Sequence, residues 1–209
     1  MKFIHLNTGA IKANTFIIYN EEKAVVIDPG GNYKRILFEL ESKNSKLEKI
    51  LLTHGHFDHM GAVAQLKEAT NAKVYIHSAD QEMLKSNYAN LSAYTDAPAL
   101  LTEADIFLKD NDIIECAGEE LQVLHTPGHT LGGVCFLTGK DLFSGDTLFF
   151  ESIGRCDLAG GNFTQLIDSI KTKLLVLDDD VKVYPGHGEF TTIGHEKAYN
   201  PYLQSGNNK

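Results

Sequence analysis

The chain has 209 residues, 22% of them charged and 43% hydrophobic, with a net charge of −9 and a pI near 5.4. That length allows one sizeable domain with a buried core, and residues 1–209 are expected to form it. The acidic balance repels polyanions, which argues against general binding to nucleic acid or to an anionic membrane and leaves small molecules as the expected partners.

The N-terminal residues lack the apolar run of a signal peptide, and no stretch approaches the ~20 apolar residues of a spanning helix, so a cytoplasmic protein without membrane contact is expected. Residues 3–6, 15–19 and 24–27 read as strands, the last closed by the turn Asp28-Pro29-Gly30-Gly31. Residues 33–41 have helical spacing. Residues 50–52 form a short buried strand and residues 60–69 a second helix, so whatever lies between occupies a strand-to-helix loop. Residues 73–76 are again strand. The irregular stretch 86–105 is either a lid or a solvated connector. Beyond it, 112–114, 121–124, 134–137 and 141–143 read as strands, 163–177 as helix, 181–184 as strand and 191–199 as a final helix. Strands followed by helices, twice over, predict an α+β chain in which two sheets pack face to face with helices outside.

The loop after residue 52 reads Thr53-His-Gly-His-Phe-Asp-His-Met-Gly61 and carries His54, His56, Asp58 and His59. Further along stand His129 in Thr-Pro-Gly-His-Thr, Asp146 in Ser-Gly-Asp-Thr and His187 in Tyr-Pro-Gly-His-Gly. These seven candidate ligands lie among glycines and prolines, which implies a metal site built from loops at strand ends. Imidazole and carboxylate suit zinc or iron, and the set exceeds what one tetrahedral ion needs, so two ions are the economical reading. His54 and His56, two apart in an extended loop, can reach one ion together, while Asp58 and His59 face a second position. His5, His77, His125 and His195 lack this context and read as structural or surface residues, with His125 supporting the loop of His129. Phe149, Phe150, Tyr88 and Tyr94 read as core aromatics rather than pocket lining. Cys116, Cys135 and Cys156 are scattered and fit reduced thiols, with Cys156 in a loop expected to face the metals.

The His-x-His-x-Asp-His cluster followed by single His, Asp and His residues resembles the metallo-β-lactamase fold superfamily, and the likeness spans essentially the whole chain. It implies a four-layer αββα sandwich. By the same resemblance His54, His56 and His129 hold a first metal, Asp58, His59 and His187 hold a second, and Asp146 bridges them. Two divalent ions are implied, with zinc favoured and iron or manganese as alternatives. Asp28 matches a recurring acidic residue that can accept a proton from a liganding imidazole; its other reading is a turn residue before Pro29. Asp146 argues against the zinc β-lactamases, whose main class carries Cys there.

The segment 149–161 resembles the Gly-Arg-x-Asp loop of the glyoxalase II-like branch, which includes hydroxyacylglutathione hydrolases and persulfide dioxygenases. Arg155 either orders this loop through Asp157 or binds a substrate carboxylate. Longer glyoxalase II enzymes append a helical domain whose basic residues hold glutathione, and that domain is expected to be absent here, as in compact bacterial hydrolases. The resemblance therefore implies hydrolysis of a thioester, such as S-lactoylglutathione or a related acyl thiol, by a metal-bridging hydroxide that Asp58 orients. Mononuclear iron persulfide dioxygenation and lactone hydrolysis are the alternatives. Acyl group, thiol carrier and oligomeric state stay open.

Overall fold

In the computed structural model, which describes residues 1–96 and 98–204, the alternation of side chains along each strand decides the layering. The first half of the chain supplies β1 (Phe3–Thr8), β2 (Ala13–Tyr19), β3 (Lys23–Ile27), α1 (Tyr33–Ser42), β4 (Lys46–Leu51), α2 (Phe57–Met60), α3 (Val63–Thr70), β5 (Lys73–His77) and β6 (Ile106–Leu108). Its six strands form one sheet in sequence order, antiparallel from β1 to β3 and parallel from β3 to β6. The second half supplies β7 (Ile113–Cys116), β8 (Glu119–His125), β9 (Val134–Thr138), β10 (Asp141–Gly145), the small hairpin β11 (Leu148–Phe149) and β12 (Ser152–Ile153), α4 (Phe163–Ser169), β13 (Lys182–Pro185), β14 (Thr191–Thr192) and α5 (Ile193–Tyr199). The second large sheet runs β14-β13-β10-β9-β8-β7, with β10 and β13 parallel.

Successive strand residues point to opposite faces, so each sheet feeds two cores. Ile17, Val26, Ile50 and Val74 pack against Ile36 and Leu40 of α1 and Val63 and Leu66 of α3. Their neighbours Phe16, Ile18, Val25, Ile27 and Leu51 meet Leu121, Val123, Phe136, Phe143 and Tyr184 of the opposite sheet. On the far side of that sheet, Leu142 and Val183 pack on Leu166 and Ile170 of the helix that begins with α4 and on Ile193 of α5. The result is helix, sheet, sheet, helix: the four-layer sandwich. No helix among the described residues is long and apolar enough to cross a membrane.

Four details depart from the sequence reading. The helix expected over 60–69 starts only at Val63, and Met60 instead closes the separate turn α2, because the amide of Ala62 donates to the carbonyl of Pro29 (2.8 Å) instead of continuing the helical ladder. Thr191 and Thr192 pair with Val183 and Lys182 as an edge strand, and α5 starts only at Ile193, capped by the Thr192 hydroxyl. The helix from Phe163 closes at Leu174, its last turn widened to π geometry. Residues 106–108, without an obvious strand pattern, add β6 because the edge of β5 would otherwise leave backbone groups unpaired.

Parallel pairing positions the site. Asp28 and His54 follow the C-terminal ends of the parallel strands β3 and β4, and Asp146 and His187 follow those of β10 and β13. Backbone hydrogen bonds from Val134 to Thr53 (2.8 Å) and from Asn14 to Gly186 (2.7 Å) join the two rims.

Candidate metal centre

Every imidazole and carboxylate of the motif arrives at this rim. Potential ligand atoms group as His54, His56 and His129; as His54, His59 and Asp146; and as Asp58, His59 and His187, those in each group lying within 4.8 Å of one another. The seven residues thus form one continuous cluster, shared through His54 and His59. Asp146 spans its middle, with Oδ1 3.3 Å from His59 Nε2 and Oδ2 3.6 Å from His129 Nε2. Asp58 Oδ2 lies 2.9 Å from His187 Nε2 and 3.4 Å from His59 Nε2. His56 Nδ1 sits 3.0 Å from His129 Nε2.

The outer hydrogen bonds dictate which ring nitrogens face inward. Thr53 donates its hydroxyl proton to Asp28 Oδ2 (2.6 Å), so Thr53 Oγ1, 3.1 Å from His54 Nδ1, is left to accept the proton of that nitrogen. Asp28 Oδ2 also takes the Nδ1 proton of His59 (3.0 Å), and the carbonyl of Arg155 takes that of His129 (2.8 Å). Nε2 of His54 and His129 then carries a lone pair toward the centre, and His59 Nε2 offers one once that ring gives up its second proton. Asp28 lies in a left-handed turn (φ 49°), which Asp tolerates better than most residues, and its other oxygen accepts the Thr53 amide at 2.8 Å. It is both the turn residue before Pro29 and the partner of a cluster imidazole.

Burial and charge act in opposition here. Burial, reinforced by neighbouring imidazoles, holds His54 well below the usual imidazole range and His56 down to about 3, so both are neutral donors. Burial works against the charged forms of Asp58 and Asp146 too, but His59 outweighs it, and both stay ionised below the usual carboxylate range. His59 is pushed the other way: despite complete burial, Asp146, Asp58 and Asp28 raise it well above the ordinary value. Three buried atoms, His54 Nε2, His59 Nε2 and Asp146 Oδ1, have no hydrogen-bond partner. Orphaned polar atoms are costly, and three convergent ones in a net anionic surround fit divalent cations, which would displace the second proton of His59.

The remaining expected residues separate. Arg155 makes a two-pronged bond to Asp157 (2.8 Å each) at the surface, so the guanidinium orders its own loop while the backbone carbonyl holds His129. Cys156 turns from the cluster to pack on the α4 side of the sheet, and burial beside Asp157 raises its thiol pKa. His5, His77, His125 and His195 stay outside the ligand groups; His125 lies 3.1 Å from the Leu131 carbonyl and stacks on His77 at 4.1 Å. The expectation of core aromatics fails for Tyr88, Tyr94 and Phe150, which are exposed. Asp80, by contrast, is a site residue that no motif marks. Its buried carboxylate accepts from Thr130 Oγ1 and the Gly132 amide (both 2.7 Å), fixing the loop that carries His129.

Comparison with known proteins shows the family. The profile of the metallo-beta-lactamase superfamily matches residues 8–187. The hydroxyacylglutathione hydrolase GloC of Haemophilus influenzae is 38% identical over 205 residues, covering 94% of this chain and 95% of its own. Among solved structures, the BLEG-1 B3 metallo-beta-lactamase superposes with a TM-score of 0.91 at 38% identity, over 97% of this chain and 99% of its own. TTHA1623 in a di-iron-bound form follows at 0.81 and 36% identity, over 96% and 100%.

Proposed function

Since the chain belongs to the metallo-beta-lactamase superfamily of metal-dependent hydrolases, we propose that it is a dinuclear thioester hydrolase acting on S-lactoylglutathione or a related acyl thiol. The observation that carries the metal assignment is the convergence of the three orphaned atoms of His54, His59 and Asp146. His54, His56 and His129 would hold one cation and Asp58, His59 and His187 the other, with Asp146 between them. Bound there, divalent cations supply Lewis acidity toward the acyl oxygen and a water of near-neutral pKa. Zinc suits this set of imidazoles and carboxylates, and the di-iron form of a relative keeps iron as its competitor.

The protein's own part is positioning and proton handling. Thr53, Asp28 and the Arg155 carbonyl lock three imidazoles in the tautomer that presents a lone pair inward. Asp58, ionised and only 8% exposed, offers a carboxylate that can accept a hydrogen bond from a water and orient it. No serine or cysteine nucleophile is required, and the raised pKa of Cys156 keeps that thiol protonated.

The test is a single metal-loaded preparation, with metal content measured per chain, assayed with a thioester, a persulfide under oxygen and a β-lactam. Two metals and thioester turnover are expected, with Asp58→Ala lowering turnover ~10–100-fold or more while the fold persists. Oxygen uptake with persulfide and no thioester cleavage would transfer the chain to the dioxygenases; β-lactam cleavage alone would place it with the lactamases.

A further inference from the structure

The short 3₁₀ helix Ser78–Leu84 follows β5 and holds none of the seven cluster residues, yet it touches both loops that carry His54, His56 and His129. The link is Asp80, only 1% exposed. Its Oδ2 accepts from Thr130 Oγ1 and its Oδ1 from the Gly132 amide, both at 2.7 Å, with the Gly55 backbone amide a third and weaker donor. Gly55 stands between His54 and His56, and Thr130 directly follows His129. These three donors therefore belong to the two segments that bear one ligand group.

Both loops approach the helix as bare backbone. A Cβ at position 132 would lie 2.7 Å from Asp80 Cγ, and one at position 55 would lie 2.5 Å from Met83 Cβ, so glycine is what permits the contact. Burial raises the Asp80 pKa in spite of its donors and of His129 nearby, so the carboxylate sits there at a cost. The other ligand group has separate supports: the Phe57 amide donates to the Asn90 carbonyl (3.0 Å), and Asp28 Oδ2 holds His59 Nδ1 (3.0 Å). Neither runs through Asp80. Asn90 belongs to the irregular segment 86–105, of which position 97 lies outside the described residues.

Resting on the proposed metal assignment, we propose that Asp80 is the positioning residue of the first metal group: one carboxylate fixes the separation between the His54–His56 loop and the His129 loop. The distance it sets is read between His56 Nδ1 and His129 Nε2, 3.0 Å apart. Loops gathered beforehand need not be ordered when a cation binds, and that raises affinity at this group alone.

The experiment follows isotope-labelled histidine rings by NMR, first in metal-free protein and then through a zinc titration against a chelator. Wild type is compared with Asp80→Ala, Asp80→Asn and Thr130→Val. Asp80→Ala should weaken zinc retention by His54, His56 and His129 at least ~10-fold and change retention by Asp58, His59 and His187 less than ~3-fold. Asp80→Asn keeps an acceptor for Gly132 and can donate to Thr130, so it should stay within ~3-fold of wild type. Thr130→Val loses one hydroxyl and should weaken the first group several-fold; if Asp80→Ala does not fold, this variant carries the comparison. In metal-free protein, ring contacts between His56 and His129 should vanish in Asp80→Ala and persist in Asp80→Asn, while those between His59 and His187 persist in every variant. Equal weakening of both groups, an unchanged first group, or Asp80→Asn as impaired as Asp80→Ala overturns the proposal. A wild-type chain that takes up no zinc rejects the metal assignment instead, and the metal-free ring contacts then decide by themselves whether Asp80 sets the spacing.

Discussion

Asn14 shows how a residue outside the cluster can govern one of the proposed metal ligands. Buried at the start of β2, it donates from its amide side chain to the carbonyls of Pro185 (2.9 Å) and Gly188 (3.1 Å), bracketing His187, and its backbone amide donates to Gly186. His5 Nε2 (2.8 Å) and Asn7 Nδ2 (2.7 Å) meet the Oδ1 of Asn14 and set the orientation of the amide. Asn14→Ala leaves two carbonyls unpaired, which should cost about 1–3 kcal/mol of stability. It should also weaken metal retention at the Asp58, His59 and His187 group about 10-fold, leaving the His54, His56 and His129 group unchanged. Competition with a graded chelator should therefore resolve two unequal equivalents in the variant; equal weakening of both would reject the positioning role. The ligands themselves were legible because histidine spacing is local, whereas Asn14 acts across the sandwich and leaves no local pattern. Its only trace is a polar residue at the edge of an otherwise apolar strand.

The break between α2 and α3 illustrates the same division among elements. Residues 60–69 carry a helical pattern, and helix propensity alone predicts that replacing Gly61 by alanine helps by about 1 kcal/mol. The fold forbids the gain. A Cβ at position 61 would lie 2.4 Å from the carbonyl oxygen of Gly30, a backbone atom with little room to move. We expect Gly61→Ala to lower stability by about 1–3 kcal/mol, measured by urea unfolding, as overpacking usually does. A stabilised variant would show that α2 and α3 can merge without loss. The break serves the site: α2 is a single turn bearing Asp58 and His59, turned away from the axis of α3 by the bond from Ala62 to Pro29. Sequence periodicity reported the helix that α3 forms but could not register α2 or an amide diverted to a turn 33 residues earlier.

For the folded chain as a unit, the metal centre couples stability to pH. In metal-free protein the raised pKa of His59 favours folding fully below its unfolded value near 6.5, and that contribution is lost as pH rises through the folded value. The lowered pKa values of His54 and His56 act oppositely: their contribution is present above 6.5 and is lost as pH falls, toward about 3 for His56. Metal binding requires neutral imidazoles, so loading with zinc should raise Tm and abolish the alkaline decline attributed to His59. Thermal melts of chelated and zinc-loaded protein across pH 5–10 test this, and parallel curves would show that His59 carries no such charge. What the amino-acid order alone determined here is chemical and local: strand and helix faces from apolar spacing, candidate ligands from the His-x-His-x-Asp-His loop, and a resemblance that implied the sandwich. The folded arrangement settled everything that depends on distance across the chain. Asp28 meets His59 because β3 and β4 are parallel neighbours, the Arg155 carbonyl rather than its guanidinium reaches His129, and Asp80 braces the His129 loop. Spacing along a chain encodes which side of a strand or helix a residue occupies; which rim it reaches, and beside what, exists only once the sheets have closed on one another.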